Sequence, residues 1–254
     1  LPDGNSLLLK LIHYYFYFFG IISIFLSKKV IVFTKDYFYS FSFHKIFKKK
    51  IIEILPFVEN NLILNNDSTQ TLNEKTIKIG FLGRLGEEKG LKDLIKASEI
   101  MTSKNIHHSI KIAGDLKDKR FKKHIDDLLQ LQINNNCVNF IGKLDKDKKS
   151  DFFNSIDVLV LPSINSFEAF GLVQLEAMSL GKPVIASNLR GVRIPIKYTG
   201  NGLLYQKGNV NDLVKCIVSF QEWIKNIDKT DIIKAYNKNF NKEKFSNKYL
   251  SLFN

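Results

Sequence analysis

Polar and apolar positions divide the chain into two unlike stretches. From residue 77 to residue 224, short apolar runs alternate with segments whose apolar positions recur every three or four residues. "IKIGFLG" (77–83), "SIKIAG" (109–114), "CVNFIG" (137–142), "DVLVLPS" (157–163), "PVIAS" (183–187) and "GLLY" (202–205) read as strands. Helical spacing predicts helices in "KGLKDLIKASEIM" (89–101), "KRFKKHIDDLLQL" (119–131), "DKDKKSDFFNSI" (145–156, capped by Asp145), "GLVQLEAMSLG" (171–181) and "NVNDLVKCIVSFQEWI" (209–224, capped by an Asn). Strands and helices in this alternation imply an α/β fold, a Rossmann-like parallel sheet with helices on both faces. The strands are continuously apolar, as expected when helices cover both faces of a sheet. In such sheets ligands bind at the carboxyl ends of the strands.

The front of the chain is organised differently. "LLLKLIHYYFYFFGIISIFL" (7–26) is an apolar run long enough to span a bilayer, though Lys10, His13 and several tyrosines interrupt it. A spanning helix, an interfacial helix and a helix packed in a domain all fit it. It is too long for a signal peptide and lacks a small-residue cleavage site. "SKKVIVFTKD" (27–36) and "IIEILPFVENN" (51–61) read as short strands, and residues 60–76 as a polar linker. "FNKEKFSNKYLSLF" (240–253) is amphipathic and closes a tail of one or two helices. No internal repeat is evident. The chain opens on Leu1, which reads as a fragment or a processed product.

The net charge of +13 adds little discrimination, because all but four of the 38 basic residues are lysine and are spread through every segment. A solvated lysine surface and attraction to anionic lipid or phosphate both account for it. No nucleic-acid module is present. The scarcity of arginine makes Arg84, Arg120, Arg190 and Arg193 informative. Cys137 and Cys216 lack metal or redox spacing and read as buried thiols in a reducing compartment. The five histidines form no ligand pattern, so no metal site is expected.

Glycine marks the candidate chemistry. Of the 14 glycines, Gly4 and Gly20 alone precede Gly80. "GFLGRLGEEKG" (80–90) follows a strand and opens a helix, with Arg84 and Lys89 beside it. Glycines allow close backbone approach, a helix N-terminus favours anions, and the two cations complete a diphosphate site. A glycine-rich turn with solvated charges is the plainer alternative. "SFEAFGLVQLEAMSLGKPVIAS" (166–187) places Glu168 before a helix and Glu176 about five residues into it, with Phe170, Gly171 and Leu172 between. The two carboxylates could accept hydrogen bonds from hydroxyls at two ends of one extended ligand. Helix capping by Glu168 and a surface charge at Glu176 are the plainer roles. The loop at Gly142 could meet a nucleobase edge. Asp145 and Asp147 could hold a divalent metal, although helix capping explains them more simply.

Taken together and in order, "GRLGEEKG", "IKIAGD", "VNFIGKL", "DVLVLPS", "EAFGLVQLEAMSLGKPVIAS" and "GNGLLYQKGNVNDLVKCI" resemble the nucleotide-binding half of retaining glycosyltransferases of the GT-B type, glycosyltransferase family 4. The resemblance implies a nucleotide-sugar-binding domain over 76–226, preceded by a truncated acceptor-side domain and linker over 1–75. Residues 227–254 would be helices packing back on that front part. It implies Glu168, Arg84 and Lys89 as catalytic residues. It also implies a donor site of Gly83, Arg84, Lys89, Gly114, Gly142, Leu144, Phe170, Gly171, Leu172 and Glu176. The expected donor is a UDP- or GDP-linked sugar and the expected acceptor a glycan or lipid-linked molecule, with no obligatory metal or other cofactor. A cytoplasmic location follows, peripheral at an anionic inner membrane face. Two features depart from the family. Ile194, preceded by Arg193, stands where a glutamate is usual, and most of the acceptor-side domain is missing. A donor-binding subunit that needs a partner for the acceptor half, and a related enzyme such as an epimerase, are the competing expectations.

Overall fold

The computed structural model describes residues 7–59 and 76–253. The apolar run at the front is helical throughout as α1 (Leu7–Leu26). After it come β1 (Val30–Val32), α2 (Lys35–Phe38), α3 (His44–Phe47) and β2 (Ile51–Glu53). The Thr34 hydroxyl caps α2 by accepting the Tyr37 N–H at 3.0 Å. Lys50 donates to the carbonyls of Ile24 and Phe25, which satisfies the exposed end of α1. β1 and β2 pair in parallel, with Val30 opposite Ile51. Phe38, Phe47 and Ile51 form a small buried cluster, against which Ile21, Ile24, Val30 and Val32 pack half-buried. Large side chains of α1 remain exposed, among them Tyr14, Phe16, Phe18 and Phe25. Among the described residues no helix is long and apolar enough to cross a membrane. The expected linker falls almost wholly outside the described residues.

The continuously apolar runs of the second stretch form one sheet. Its strands are β3 (Ile77–Leu82), β4 (His108–Ala113), β5 (Val138–Gly142), β6 (Val158–Leu161), β7 (Val184–Ser187) and β8 (Gly202–Tyr205). All pairings are parallel and the spatial order is β5-β4-β3-β6-β7-β8. Every residue of β6 and β7 is buried, which explains why neither shows polar alternation. Asp157 ties β6 to β3: its carboxylate accepts the Lys78 N–H at 2.8 Å and its own N–H reaches the Lys78 carbonyl at 2.7 Å. The order reverses between β3 and β6, and in an open parallel sheet the crevice at that switch point is where ligands bind.

Helices flank the sheet. They are α4 (Leu91–Ser103), α5 (Lys122–Ile133), α6 (Lys146–Asn154), α7 (Val173–Ser179), α8 (Ile194–Thr199) and α9 (Val210–Ile224). α4 buries Leu91, Leu94, Ile95, Ala97 and Met101, leaves Ile100 half-buried, and packs against α5 and α9. Asn209 caps α9 as expected, accepting the Asp212 N–H at 3.0 Å. Asp145 occupies the N-cap position of α6, but its side chain makes no capping bond there. The tail forms α10 (Lys229–Asn239) and α11 (Lys242–Leu250). α10 packs on α7 and α8, while the Tyr236 hydroxyl donates to the Val58 carbonyl at 3.0 Å. Near α11, Phe245 meets Phe57 at 5.1 Å between ring centroids, and Lys242 pairs with Glu59 at 2.6 Å. Cys137 and Cys216 are free thiols, half-buried rather than fully buried as the sequence suggested.

Candidate active site

The loops after β3 and β6 meet at the switch point. The chain leaves β3 through Gly83 and Arg84, makes one 3-10 turn at Glu87–Lys89 and enters α4 through Gly90. Gly90 has φ of +67°, and a Cβ there would lie 1.9 Å from the Pro162 carbonyl oxygen, so only glycine lets the two loops touch. The Ile164 N–H donates to the Glu88 carbonyl at 3.0 Å and joins the loops again. This contact brings together residues 79 positions apart: the Lys89 ammonium donates to the Glu168 carboxylate, with both side chains largely buried. Arg84 lies in the same loop, 3.4 Å from Glu88 and more than half exposed, so its fork is open to an incoming anion.

The loop after β6 turns through Gly171 into α7. Gly171 has φ of +75°, and a Cβ there would fall 2.4 Å from Leu161 Cδ2. Leu172 precedes the first helical residue, so N–H groups around it lack partners within the helix. Phe170 precedes Gly171 in the same turn. Its ring is buried against Phe33 and Phe240, so the side chain belongs to the core and only its backbone borders the site. Glu176 is in the first turn of α7, and both its oxygens accept from Lys149 of α6, at 2.9 and 3.1 Å. The nearby strand ends are joined by backbone bonds: Gly83 N–H to Ala113 at 3.0 Å and Gly114 N–H to Gly142 at 2.9 Å. Leu144 packs half-buried against the core beyond them.

Side chains that sequence reasoning did not assign also border the site. Asp36, from the front segment, accepts the Gly191 N–H at 2.9 Å and a two-pronged grip from Arg193 at 2.5 and 2.9 Å. Burial opposes ionisation of Asp36, but the Arg193 hydrogen bonds, the Gly191 N–H and the charges of Arg193 and Lys197 outweigh it and hold its pKa below 3.8. The Tyr37 hydroxyl donates to the Ser166 carbonyl at 2.9 Å. Burial, and then the Glu168 charge, push the Tyr37 pKa above 10.0. The rarity of arginine singled out Arg193, but nothing along the chain identifies an aspartate 157 residues earlier as its partner. Lys149 stood in a lysine-rich helix with no mark to distinguish it. Among the described residues no group of three or more His, Cys, Asp or Glu side chains could hold a metal ion, and Asp145 and Asp147 form no such cluster.

Comparison with known proteins places this geometry in context. The model of the family described as glycosyl transferases group 1 matches residues 64–240. An uncharacterized glycosyltransferase of Methanocaldococcus jannaschii is 34% identical over 164 residues, which cover 61% of this chain and 40% of that protein. A capsular polysaccharide biosynthesis glycosyltransferase of Staphylococcus aureus is 30% identical over 166 residues, covering 65% of this chain and 42% of that protein. The chain therefore spans less than half the length of these two relatives. Among solved structures, Anabaena HepE in complex with UDP superposes with a TM-score of 0.72 at 21% identity, covering 89% of this chain and 64% of that one. Sucrose-phosphate synthase from Thermosynechococcus elongatus gives 0.70 at 22% identity, covering 88% and 57%. The agreement with these two structures is one of fold.

Proposed function

Because the chain belongs to the glycosyl transferases group 1 family, we propose that it transfers a hexose from a UDP- or GDP-linked sugar to a glycan or lipid-linked acceptor. Configuration is retained at the anomeric carbon, as in glycosyltransferase family 4. The observation that carries this proposal is the meeting of Lys89 and Glu168 at the switch point, with Arg84 in the same loop as Lys89. In the reaction the bond from the anomeric carbon to the diphosphate oxygen breaks and a bond to the acceptor oxygen forms. The acceptor's proton passes to the departing phosphate oxygen. Negative charge grows on the diphosphate, where Arg84, Lys89 and the N–H groups of Gly171 and Leu172 meet it, so no obligatory metal is required. Donor binding would exchange the Lys89–Glu168 pair for two new ones, ammonium to phosphate and carboxylate to sugar hydroxyl. Glu176, steadied by Lys149, would take the ribose hydroxyls. The solved complex of HepE with UDP supports a uridine nucleotide as the first donor to try.

Titration calorimetry with UDP and GDP tests this assignment. Saturable binding is expected, weakened about tenfold or more in Glu176→Ala or Arg84→Ala, as for loss of a charge-assisted contact. Absence of binding at millimolar nucleotide would refute it. The competing reading is a donor-binding subunit whose partner supplies the acceptor half. Transfer that needs an added partner protein would select that version.

The same proposal places the protein on the cytoplasmic side, peripheral to an anionic inner membrane face. Its support is the exposed aromatic surface of α1 beside Lys28, Lys29, Lys48 and Lys49. Sedimentation with phosphatidylglycerol vesicles, but not with phosphatidylcholine vesicles, is the expected result. Equal partition with both would remove the electrostatic part.

A further inference from the structure

A cavity of about 810 Å³ opens beyond the carboxyl ends of β7 and β8. Tyr37 and Ser40 of the front segment wall it on one side, and Asn165 and Ser166 of the Glu168 loop on another. Three cations line it, Arg190, Arg193 and Lys207, against one carboxylate, Asp212. Two of these groups are already engaged. Asp36 holds Arg193, as described above. Asp212 accepts the Gln206 N–H at 2.6 Å and so fixes the turn that carries Lys207. Arg190 and Lys207 remain. Arg190 is exposed, and the Tyr39 carbonyl that anchors it takes one of the five N–H donors a guanidinium offers.

The position of the cavity limits what it could hold. Tyr37 bonds to Ser166, two residues from Glu168, so the cavity adjoins the place assigned to the transferred sugar. The donor's phosphates are assigned to Arg84 and Lys89 on the other side of Glu168, and a neutral hexose gives no reason for two further cations. We infer that this cavity seats the acceptor, and that the acceptor carries an oxyanion, phosphoryl or carboxylate, near the hydroxyl that receives the sugar. Arg190 grips two of its oxygens as a planar fork and Lys207 adds a point charge. This rests on the transferase reading above and adds the acceptor's chemical class to it.

The test uses the whole chain saturated with UDP or GDP, so that the donor site is filled. Glycerol 1-phosphate, methyl glucuronide and neutral methyl glucoside are titrated separately while the amide resonances of Asn188, Arg190, Gln206 and Lys207 are followed. At least one of the two anions should shift them saturably at millimolar concentration, and the neutral glycoside should not. Which anion binds decides between phosphoryl and carboxylate. Arg190→Ala should weaken that binding about tenfold, and Arg190→Lys less, because the charge returns without the fork. Lys207→Ala, at an exposed position, should weaken it about threefold or more and provides the check if the arginine variant fails to fold. Nucleotide affinity should stay within about twofold in all three variants, since their side chains are separate from the donor contacts. Binding of neither anion, binding of the neutral glycoside with equal strength, or indifference to both alanine variants would overturn the inference while leaving the donor assignment intact. Failure of UDP and GDP to bind would overturn both.

Discussion

β1 and β7 are written in the same alphabet, VIV and VIAS, yet they have different surroundings. Ile185 of β7 is fully buried, whereas Ile31 of β1 keeps 42% of its surface exposed. The difference lies in the neighbours. Among the described residues, β7 has a strand on each side and helices flanking the sheet, whereas β1 pairs with β2 alone. A parallel strand is stable when both faces are covered, and six strands with two groups of helices achieve that where two strands do not. Rigidity therefore resides in the back unit, and the loops that carry Arg84, Lys89 and Glu168 spring from its two central strands, β3 and β6. The front segment contributes individual groups, the Asp36 and Tyr37 side chains and the Tyr39 carbonyl, each reaching to the back unit.

If the chemistry belongs to the back unit, the largest effect should come from its central ion pair. Lys89→Ala is expected to lower the transfer rate about 10²–10³-fold, the loss typical of one donor to developing charge. The thermal midpoint should fall as well, because the largely buried Glu168 carboxylate loses its partner, so the rate is read per folded molecule. A rate within threefold of the parent would break the assignment of Lys89.

The same contrast explains what could be read from sequence. The strands of the back sheet were legible because they are short runs dominated by apolar residues, wholly buried in β6 and β7, and the loops after β3 and β6 were legible because glycines accompany the charges. A motif position does not reveal which way a ring points, and the Phe170 ring points into the core. Asp145 misled because occupying the cap position does not make the capping bond. Lys149 and Asp36 were invisible, since their partners lie 27 and 157 residues away and no local period links them. Side-chain pairs across the fold are fixed by topology, and topology is where pattern reasoning along a single chain ends.

Core substitutions sharpen the comparison next. Ile79→Ala, in the middle of β3, should cost about 2–5 kcal/mol of global stability, the range for a large side chain lost from a packed interior. Phe38→Ala removes one of three buried side chains of the front cluster. It should leave the main unfolding transition within about 1 kcal/mol and instead speed amide exchange over residues 30–53, as local opening does. A main transition lowered equally by both would show that the two regions unfold as one.

A smaller effect, of opposite sign, is expected in the turn between α7 and β7. Lys182 donates to the Ile156 carbonyl at 2.9 Å, and burial, reinforced by Lys229, lowers its pKa from 10.5 to about 8. The folded chain thus holds fewer protons than the unfolded one between those values. Stability rises with pH across that window, and the full cost of the buried charge is felt below it. Lys182→Met should therefore stabilise the protein at pH 7 by about 1–2 kcal/mol, after allowance for the lost hydrogen bond. The advantage should shrink as the pH approaches 10. Denaturant melts at pH 7 and pH 10 measure it, and a constant difference would exclude the charge as its cause.

The smallest expected effect bears directly on how the two regions are joined. Asp36 reaches from α2 to Arg193 and to the Gly191 N–H. Asp36→Asn keeps the shape and can still accept from Gly191, but loses the charge that Arg193 grips. Because the pair is partly exposed, about 1 kcal/mol is expected. The folded pKa is depressed below 3.8, so this stability is present at neutral pH and is lost as the pH falls through the depressed value. The difference between parent and variant should be constant from pH 8 to pH 5 and vanish in strong acid. If Asp36 serves to dock the front segment, exchange protection over α2 should fall along with the melting point. If protection is unchanged while the melting point drops, Asp36 braces the Arg193 turn of the back unit alone, and the front segment is held by its other contacts, among them Tyr37, the Tyr39 carbonyl and Phe33 against Phe170.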